Sequence, residues 1–121
     1  MSSEINYQKK RPFSKAVKAG NTLYLAGQVG INHDTGTFPS DFVKEVRLAI
    51  KNVTSVLEEY SYQPKDIVKV VVLITDVKLV PVFNEIYSEW FGEVFPARTL
   101  FIVQLQGAAR VELDVTAYQA E

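Results

Sequence analysis

The chain contains no cysteine and a single histidine, His33, so several kinds of chemistry are excluded at the outset. Without cysteine there can be no disulfide, thiolate nucleophile, zinc ribbon or iron–sulfur cluster. One histidine also rules out nearly every multi-histidine metal centre. The lack of cysteine and the single histidine therefore exclude thiol catalysis and histidine-rich metal chemistry.

The chain has neither a large excess of charge of one sign nor a long hydrophobic run. Thirteen Lys and Arg residues against 14 Asp and Glu give a net charge of -1, so there is no general attraction for nucleic acid or an anionic membrane. The apolar runs are far shorter than the ~20 residues of a membrane span, and the polar residues 1–10 contain no signal-peptide hydrophobic segment. We therefore expect a soluble, cytoplasmic protein without nucleic-acid or membrane partners.

The 121 residues, 47% of them hydrophobic, predict a single domain spanning 1–121. Alternating apolar residues predict strands at 14–18, 22–29, 98–105 and 111–117, and a β-branched run predicts a central strand at 67–75. Apolar residues at three- and four-residue steps predict one helix capped by Ser40 or Asp41, and another capped by Asp76 and ended by Gly92. This order is typical of an α+β domain in which two helices cover one face of a single sheet.

The other face of this sheet is expected to pack against further copies of the chain. On the central strand that face would carry Ile67, Val71 and Leu73 around Lys69, which is too apolar for water. A chain of this length also gains stability by oligomerising.

Two charged residues are the candidates for chemistry. Arg98 begins a strand after a Pro-containing turn, where its guanidinium could grip a carboxylate, although a surface ion pair is the simpler interpretation. Glu112 could orient a water molecule, although a strand's solvated face also suits it. If the last two strands formed a hairpin around Gly107, these residues would be roughly 17 Å apart. They could then share a site only across a subunit boundary or with another strand order.

Other polar and aromatic features have structural interpretations. His33 belongs to a surface turn, since no Ser, Asp or Glu stands at a triad spacing. The basic cluster Lys9, Lys10 and Arg11 is typical of a solvated segment. Trp90 and Phe91 fit the core stripe of the second helix.

Seven short segments together resemble the reactive intermediate deaminase family, also called the RidA or YjgF family. They are residues 11–21 (RPFSKAVKAGN), 25–29 (LAGQV), 34–36 (DTG), 66–69 (DIVK), 84–87 (NEIY), 95–98 (FPAR) and 111–113 (VEL). The resemblance implies a chorismate-mutase-like fold and a homotrimer with a cleft between each pair of subunits. It also implies hydrolysis of 2-imino acids, or their enamines, to 2-oxo acids and ammonia, without cofactor or metal.

The resemblance also implies roles for particular residues. Arg98 would bind the substrate carboxylate and Glu112 would position the attacking water. Backbone groups at Gly27 and near Leu100 would complete the polar lining, with Asn84 contributing from the second helix.

Three lining positions depart from the family pattern. Phe13 replaces a tyrosine, Ala26 a serine and Leu100 a cysteine. The losses predict weaker activity or a preference for larger apolar substrates.

Two further functions stay open. One is a non-catalytic trimer that binds or senses a small carboxylate through Arg98. The other is ribonuclease activity, attributed to some family members, which the neutral charge and single histidine disfavour.

Overall fold

The computed structural model describes residues 11–121. Lys9 and Lys10 lie outside these residues, as does the segment 1–10 in which no signal peptide was predicted. In chain order its main elements are β1 (Ala16–Ala19), β2 (Thr22–Leu25), β3 (Gln28–Val29), α1 (Phe42–Glu59), β4 (Ile67–Ile74), α2 (Val80–Phe91), β5 (Ala97–Ile102) and β6 (Val111–Tyr118). The predicted order of elements is confirmed. The strand predicted at 22–29 is wrong in one respect, because the chain leaves the sheet at Ala26 and Gly27 and so forms two strands.

The strands form one mixed sheet in the order β1-β2-β6-β4-β5, and β3 pairs with β6 beyond the end of β2. The β4–β5 pair is parallel and the other pairs are antiparallel. A parallel pair needs a long crossover, which α2 provides. The hairpin considered for the last two strands is therefore wrong, since β4 lies between β5 and β6.

Both helices within residues 11–121 pack on the same face of the sheet, as predicted. The apolar stripe of α1 is buried against alternate residues of β4 and β6, among them Val70, Val72, Leu113 and Val115. Trp90 and Phe91 pack partly buried against this core. Burial of these apolar surfaces is the main stabilising contribution to the fold.

The helix ends differ from prediction in one detail. Asp41 is the N-cap residue of α1, and α2 ends before Gly92 with Pro81 in its first turn, as expected. Asp76 was expected to cap α2, but its carboxylate accepts the Lys78 backbone N–H and so caps a short 3-10 turn that leads into the helix. This turn redirects the chain from β4 to the start of α2.

The uncovered face of the sheet differs from the prediction at one residue of β4. A bulge between Ile67 and Lys69 breaks the alternation, and Ile67 is buried, so its assignment to the uncovered face is wrong. Lys69 on that face donates a hydrogen bond to the Thr99 hydroxyl on β5. Oligomerisation through this face stays a prediction.

A buried ion pair ties α1 to the start of β6. The Glu45 carboxylate is fully buried and accepts hydrogen bonds from the Arg110 backbone N–H and Nε, both at 2.7 Å. Removing one partner of such a pair leaves an uncompensated buried charge.

Among residues 11–121 no helix is both long enough and apolar enough to cross a membrane.

Candidate functional site

Arg98 lies on the edge strand β5, where its side chain rests on aromatic rings. It pairs in register with Val70 of β4 and so points to the helix-covered face. Its guanidinium carbon is 4.9 Å from the centre of the Tyr87 ring and 5.8 Å from that of Phe83. Within residues 11–121 no carboxylate forms an ion pair with it. The rings hold the cation by cation–π attraction while leaving its N–H donors available to a ligand.

Two of the residues that line the cavity beside Arg98 carry polar atoms without partners. The volume of the cavity is about 400 Å³, and Asn84, Tyr87, Ser88 and Phe95 line it together with the arginine. The Asn84 Oδ1 and the Tyr87 hydroxyl are both buried and make no hydrogen bond to any of residues 11–121. Buried polar groups in proteins are nearly always satisfied by protein, water or ligand. This cavity therefore has the composition of a site for a polar, anionic ligand.

Tyr87 is a site residue that the sequence reasoning missed. Sequence analysis considered it only as part of the segment 84–87, and its ring is buried, with only 4% of the residue exposed. Burial raises the pKa of its phenol, and the nearby Arg98 cation partly opposes this rise. The spacing of Asn84 and Tyr87, three residues apart on one helix face, was the signal available in the sequence.

Glu112 lies on the uncovered face of β6, paired with Leu73 of β4 and Val29 of β3. Its carboxylate packs directly on Gly27, where a Cβ atom would be only 2.8 Å from the Glu112 carboxyl carbon. Burial raises the pKa of Glu112, and the negative charge of Asp114 raises it further. A carboxyl group with a raised pKa is a stronger base once ionised, which suits activation of water.

A second, larger cavity is lined by Gly27, the residue on which Glu112 packs, but not by Glu112 itself. Its volume is about 600 Å³, and its lining includes three of the predicted residues, Phe13, Ala26 and Gly27. Phe13 is largely exposed there. His33 also lines it from an exposed turn in which the Asn32 side chain accepts the Asp34 backbone N–H.

Arg98 and Glu112 do not meet within one chain. Along β4 their register partners Val70 and Leu73 are three residues apart. Three residues and two strand spacings separate the two Cα atoms by about 14 Å. The side chains also leave opposite faces of the sheet. The observed strand order is not the hairpin considered in the sequence analysis, but it also keeps Arg98 and Glu112 apart. The two residues could therefore share a site only if a second copy of the chain contributed one of them.

Leu100 lies on the same face as Arg98, paired with Val72 and packed partly against the core. It lines neither of the two cavities described above. Within residues 11–121, β5 has only β4 as a neighbour, so its outer edge offers backbone groups that no strand of the sheet occupies. Asn84, by contrast, lines the cavity beside Arg98, and its role in binding stays a prediction.

The sequence and the fold both match a known protein family. The family model described as endoribonuclease L-PSP matches residues 4–119, and the chain belongs to this family. The resemblance to RidA and YjgF proteins is confirmed by relatives and solved structures of the same fold.

Two relatives carry informative names. A RutC family protein from Aquifex aeolicus is 39% identical over 88% of this chain and 87% of its own length. The 2-iminobutanoate/2-iminopropanoate deaminase of Mus musculus is 34% identical over 89% of this chain and 82% of its own.

Two solved structures show the same fold. YyfA from Yersinia pestis, a conserved Rid family protein, is 36% identical with a TM-score of 0.84, over 89% of this chain and 88% of its own. Escherichia coli TdcF with bound serine is 27% identical with a TM-score of 0.86, over 91% of this chain and 90% of its own.

Proposed function

We propose that the protein is an imine deaminase whose site forms between two subunits, proposed to be members of a homotrimer. Arg98 of one subunit would bind the carboxylate of a 2-imino acid, and Glu112 of a neighbour would activate water. The observation that carries this proposal is the Arg98 cavity, in which an unpaired guanidinium stands beside two unsatisfied polar atoms. Relatives named imine deaminases and a related structure with bound serine support the same ligand class.

In this mechanism the guanidinium holds the carboxylate through two parallel hydrogen bonds. The Asn84 Oδ1, which lacks a partner, accepts an N–H from the protonated imine. The Glu112 carboxylate takes a proton from water as the oxygen bonds to C2, giving a tetrahedral intermediate with one hydroxyl and one amino group. The protonated Glu112 then donates to the amino nitrogen. As the C–N bond breaks, the hydroxyl proton leaves with ammonia as ammonium, and a 2-oxo acid remains.

This reaction suits the few polar groups available. A protonated imine is already electrophilic, so that orientation of the water contributes more than a strong nucleophile would. Arg98 and Glu112 therefore suffice without a thiol or a histidine.

The split site is tested by mixing two inactive variants. Arg98→Ala and Glu112→Gln are each expected to abolish loss of the imine formed by a threonine dehydratase, measured with a trapping agent. In oligomers assembled from equal amounts of both, about one interface in four pairs an intact Arg98 with an intact Glu112. We expect recovery of about a quarter of the wild-type rate. A fully active Arg98→Ala variant would refute the proposed reaction, and no recovery on mixing would refute the split site.

The second candidate, a non-catalytic carboxylate-binding protein, is favoured by the apolar residues at Phe13, Ala26 and Leu100. These replace hydroxyl and thiol groups of the family pattern. It predicts saturable binding of 2-oxo acids that depends on Arg98, without turnover of imines. Calorimetric binding combined with the trapping assay separates the two functions.

A further inference from the structure

Asn52 is a buried polar residue that the proposed mechanism does not use. It lies on α1, and only 9% of the residue is exposed. Its side-chain amide donates hydrogen bonds to two backbone carbonyls, that of Val29 at 2.8 Å and that of Ile31 at 3.0 Å. An asparagine amide has two N–H donors, so both are used to hold one short segment of backbone.

The segment that Asn52 holds has little else to fix it in the sheet. The strand β3 is only two residues long, and it pairs with β6 at two positions, Gln28 with Leu113 and Val29 with Glu112. The chain leaves the sheet just before β3. A strand this short has few ladder hydrogen bonds, so its position depends on contacts from outside the sheet.

Gly30 provides a second contact between this segment and α1. A Cβ atom at Gly30 would overlap the backbone carbonyl of Glu45, so the two backbones pack directly on each other. Glu45 and Asn52 are seven residues apart on α1, which is about two helical turns. The helix therefore holds residues 29–31 at two points, and Asn52 supplies the hydrogen bonds.

The position of β3 matters for the proposed base because Gly27 directly precedes this strand. Gly27 packs on the Glu112 carboxylate, and Val29 lies opposite Glu112 in the register of the two strands. A shift of β3 would therefore move the backbone against which the carboxylate rests, and would open the carboxylate to water.

We propose that Asn52 is a positioning residue: its amide fixes β3 in the register that holds Gly27 against the Glu112 carboxylate. The proposal rests on the proposed function, in which Glu112 is the base that activates water. Asn52 acts through the backbone of β3 and not by contact with the substrate.

Asn52→Ala removes both donors and tests the proposal by kinetics. Asn52, Val29 and Ile31 line the larger cavity, so water can reach the two released carbonyls and we expect the variant to fold. We expect kcat/KM in the trapping assay to fall about tenfold, because a misplacement of 1 Å costs up to about 100-fold in rate. The loss should fall mainly on kcat, since Arg98 still binds the substrate carboxylate.

The titration of the Glu112 carboxyl group reports on the same contact without turnover. Burial raises its pKa and the charge of Asp114 raises it further, whereas the residues paired with it, Val29 and Leu73, do not titrate. Release of β3 would admit water, which favours the charged carboxylate, so the pKa of Glu112 should fall in Asn52→Ala. The acid limb of the kcat/KM profile should then move to lower pH. Carbon-13 NMR of the full chain measures the titration, with Glu112→Gln to assign the signal.

Two further variants control for loss of stability. Val53 follows Asn52 on α1 and is fully buried in the core, so Val53→Ala should lower Tm by several degrees without changing kcat or the Glu112 titration. Asn52→Ser leaves one small donor and should show a smaller change of the same kind as Asn52→Ala. It decides the question if Asn52→Ala does not fold.

The outcomes separate this inference from the proposed function. Unchanged kcat and an unchanged Glu112 titration in Asn52→Ala would overturn the positioning role, and so would equal changes in Val53→Ala. No imine hydrolysis by the wild-type protein would refute the deaminase, and the NMR titration would still decide whether Asn52 sets the environment of Glu112.

Discussion

The close contact between Gly27 and Glu112 makes a sharp prediction about catalysis. In Gly27→Ala the new Cβ atom would lie 2.8 Å from the Glu112 carboxyl carbon, whereas carbon atoms pack at about 3.5 Å or more. The carboxylate must therefore move by at least about 0.7 Å. The end of a glutamate side chain moves readily, so we expect little effect on folding and a large effect on the position of the base.

A displacement approaching 1 Å costs up to about 100-fold in rate. We therefore expect Gly27→Ala to reduce kcat/KM by 10- to 100-fold, or about 1.4 to 2.7 kcal/mol of transition-state stabilisation. The change should fall mainly on kcat, since Arg98 still binds the substrate carboxylate. The measurement is a steady-state trapping assay on wild type and variant, combined with thermal unfolding.

Gly20→Ala is a suitable control because it disturbs the backbone and leaves the site intact. Gly20 has φ of 60°, in the left-handed region, and nothing lies near its missing Cβ. Alanine there should cost about 1 kcal/mol, which lowers Tm by a few degrees, with kcat/KM unchanged. Wild-type kcat/KM in Gly27→Ala would refute the assigned position of the base. Equal kinetic losses in both variants would show that general destabilisation is responsible.

Four further substitutions, at three positions, give independent tests. Tyr87→Phe removes a buried hydroxyl that has no partner among residues 11–121, so the Tm of the ligand-free protein should rise slightly while the affinity for 2-oxo acids falls about three- to tenfold. Tyr87→Leu should weaken binding further, because it also removes the aromatic ring that contacts Arg98. The raised pKa of Glu112 means that activity declines as the pH falls through it, and Asp114→Asn, which removes a cause of the rise, should shift the acid limb of the kcat/KM profile to lower pH. Glu45→Ala should lower stability by about 2 kcal/mol, measured by denaturant unfolding, because it leaves a partly buried arginine unpaired. An unchanged affinity, pH profile or unfolding midpoint would contradict the respective prediction.

The local elements were predictable from sequence because their signals are local. The apolar stripe of α1 repeats at the helical period, and the alternation in β6 is unbroken from Val111 to Ala117. The strand order was not predictable in this way. The insertion of β4 between β5 and β6 depends on contacts between residues distant in the chain, which no local period records.

The candidate site was predictable to the extent that its residues belong to recognisable segments. Four candidate residues belong to such segments: Arg98, Asn84, Gly27 and Glu112. In the structure Arg98 and Asn84 line the smaller cavity, Gly27 lines the larger one, and Glu112 packs on Gly27. Tyr87 was missed because a helical stripe indicates which residues are buried but not whether a buried hydroxyl has a partner.

The geometry also bears on how a chain so poor in reactive side chains could carry out the proposed reaction. In the proposed mechanism Arg98 is the cation that binds the carboxylate, and among residues 11–121 no carboxylate lines the cavity beside it. Glu112, whose pKa is raised by burial, is the proposed base. Because β4 and the two sheet faces separate these two residues, neither is competent alone, and the proposed activity depends on assembly of the chains.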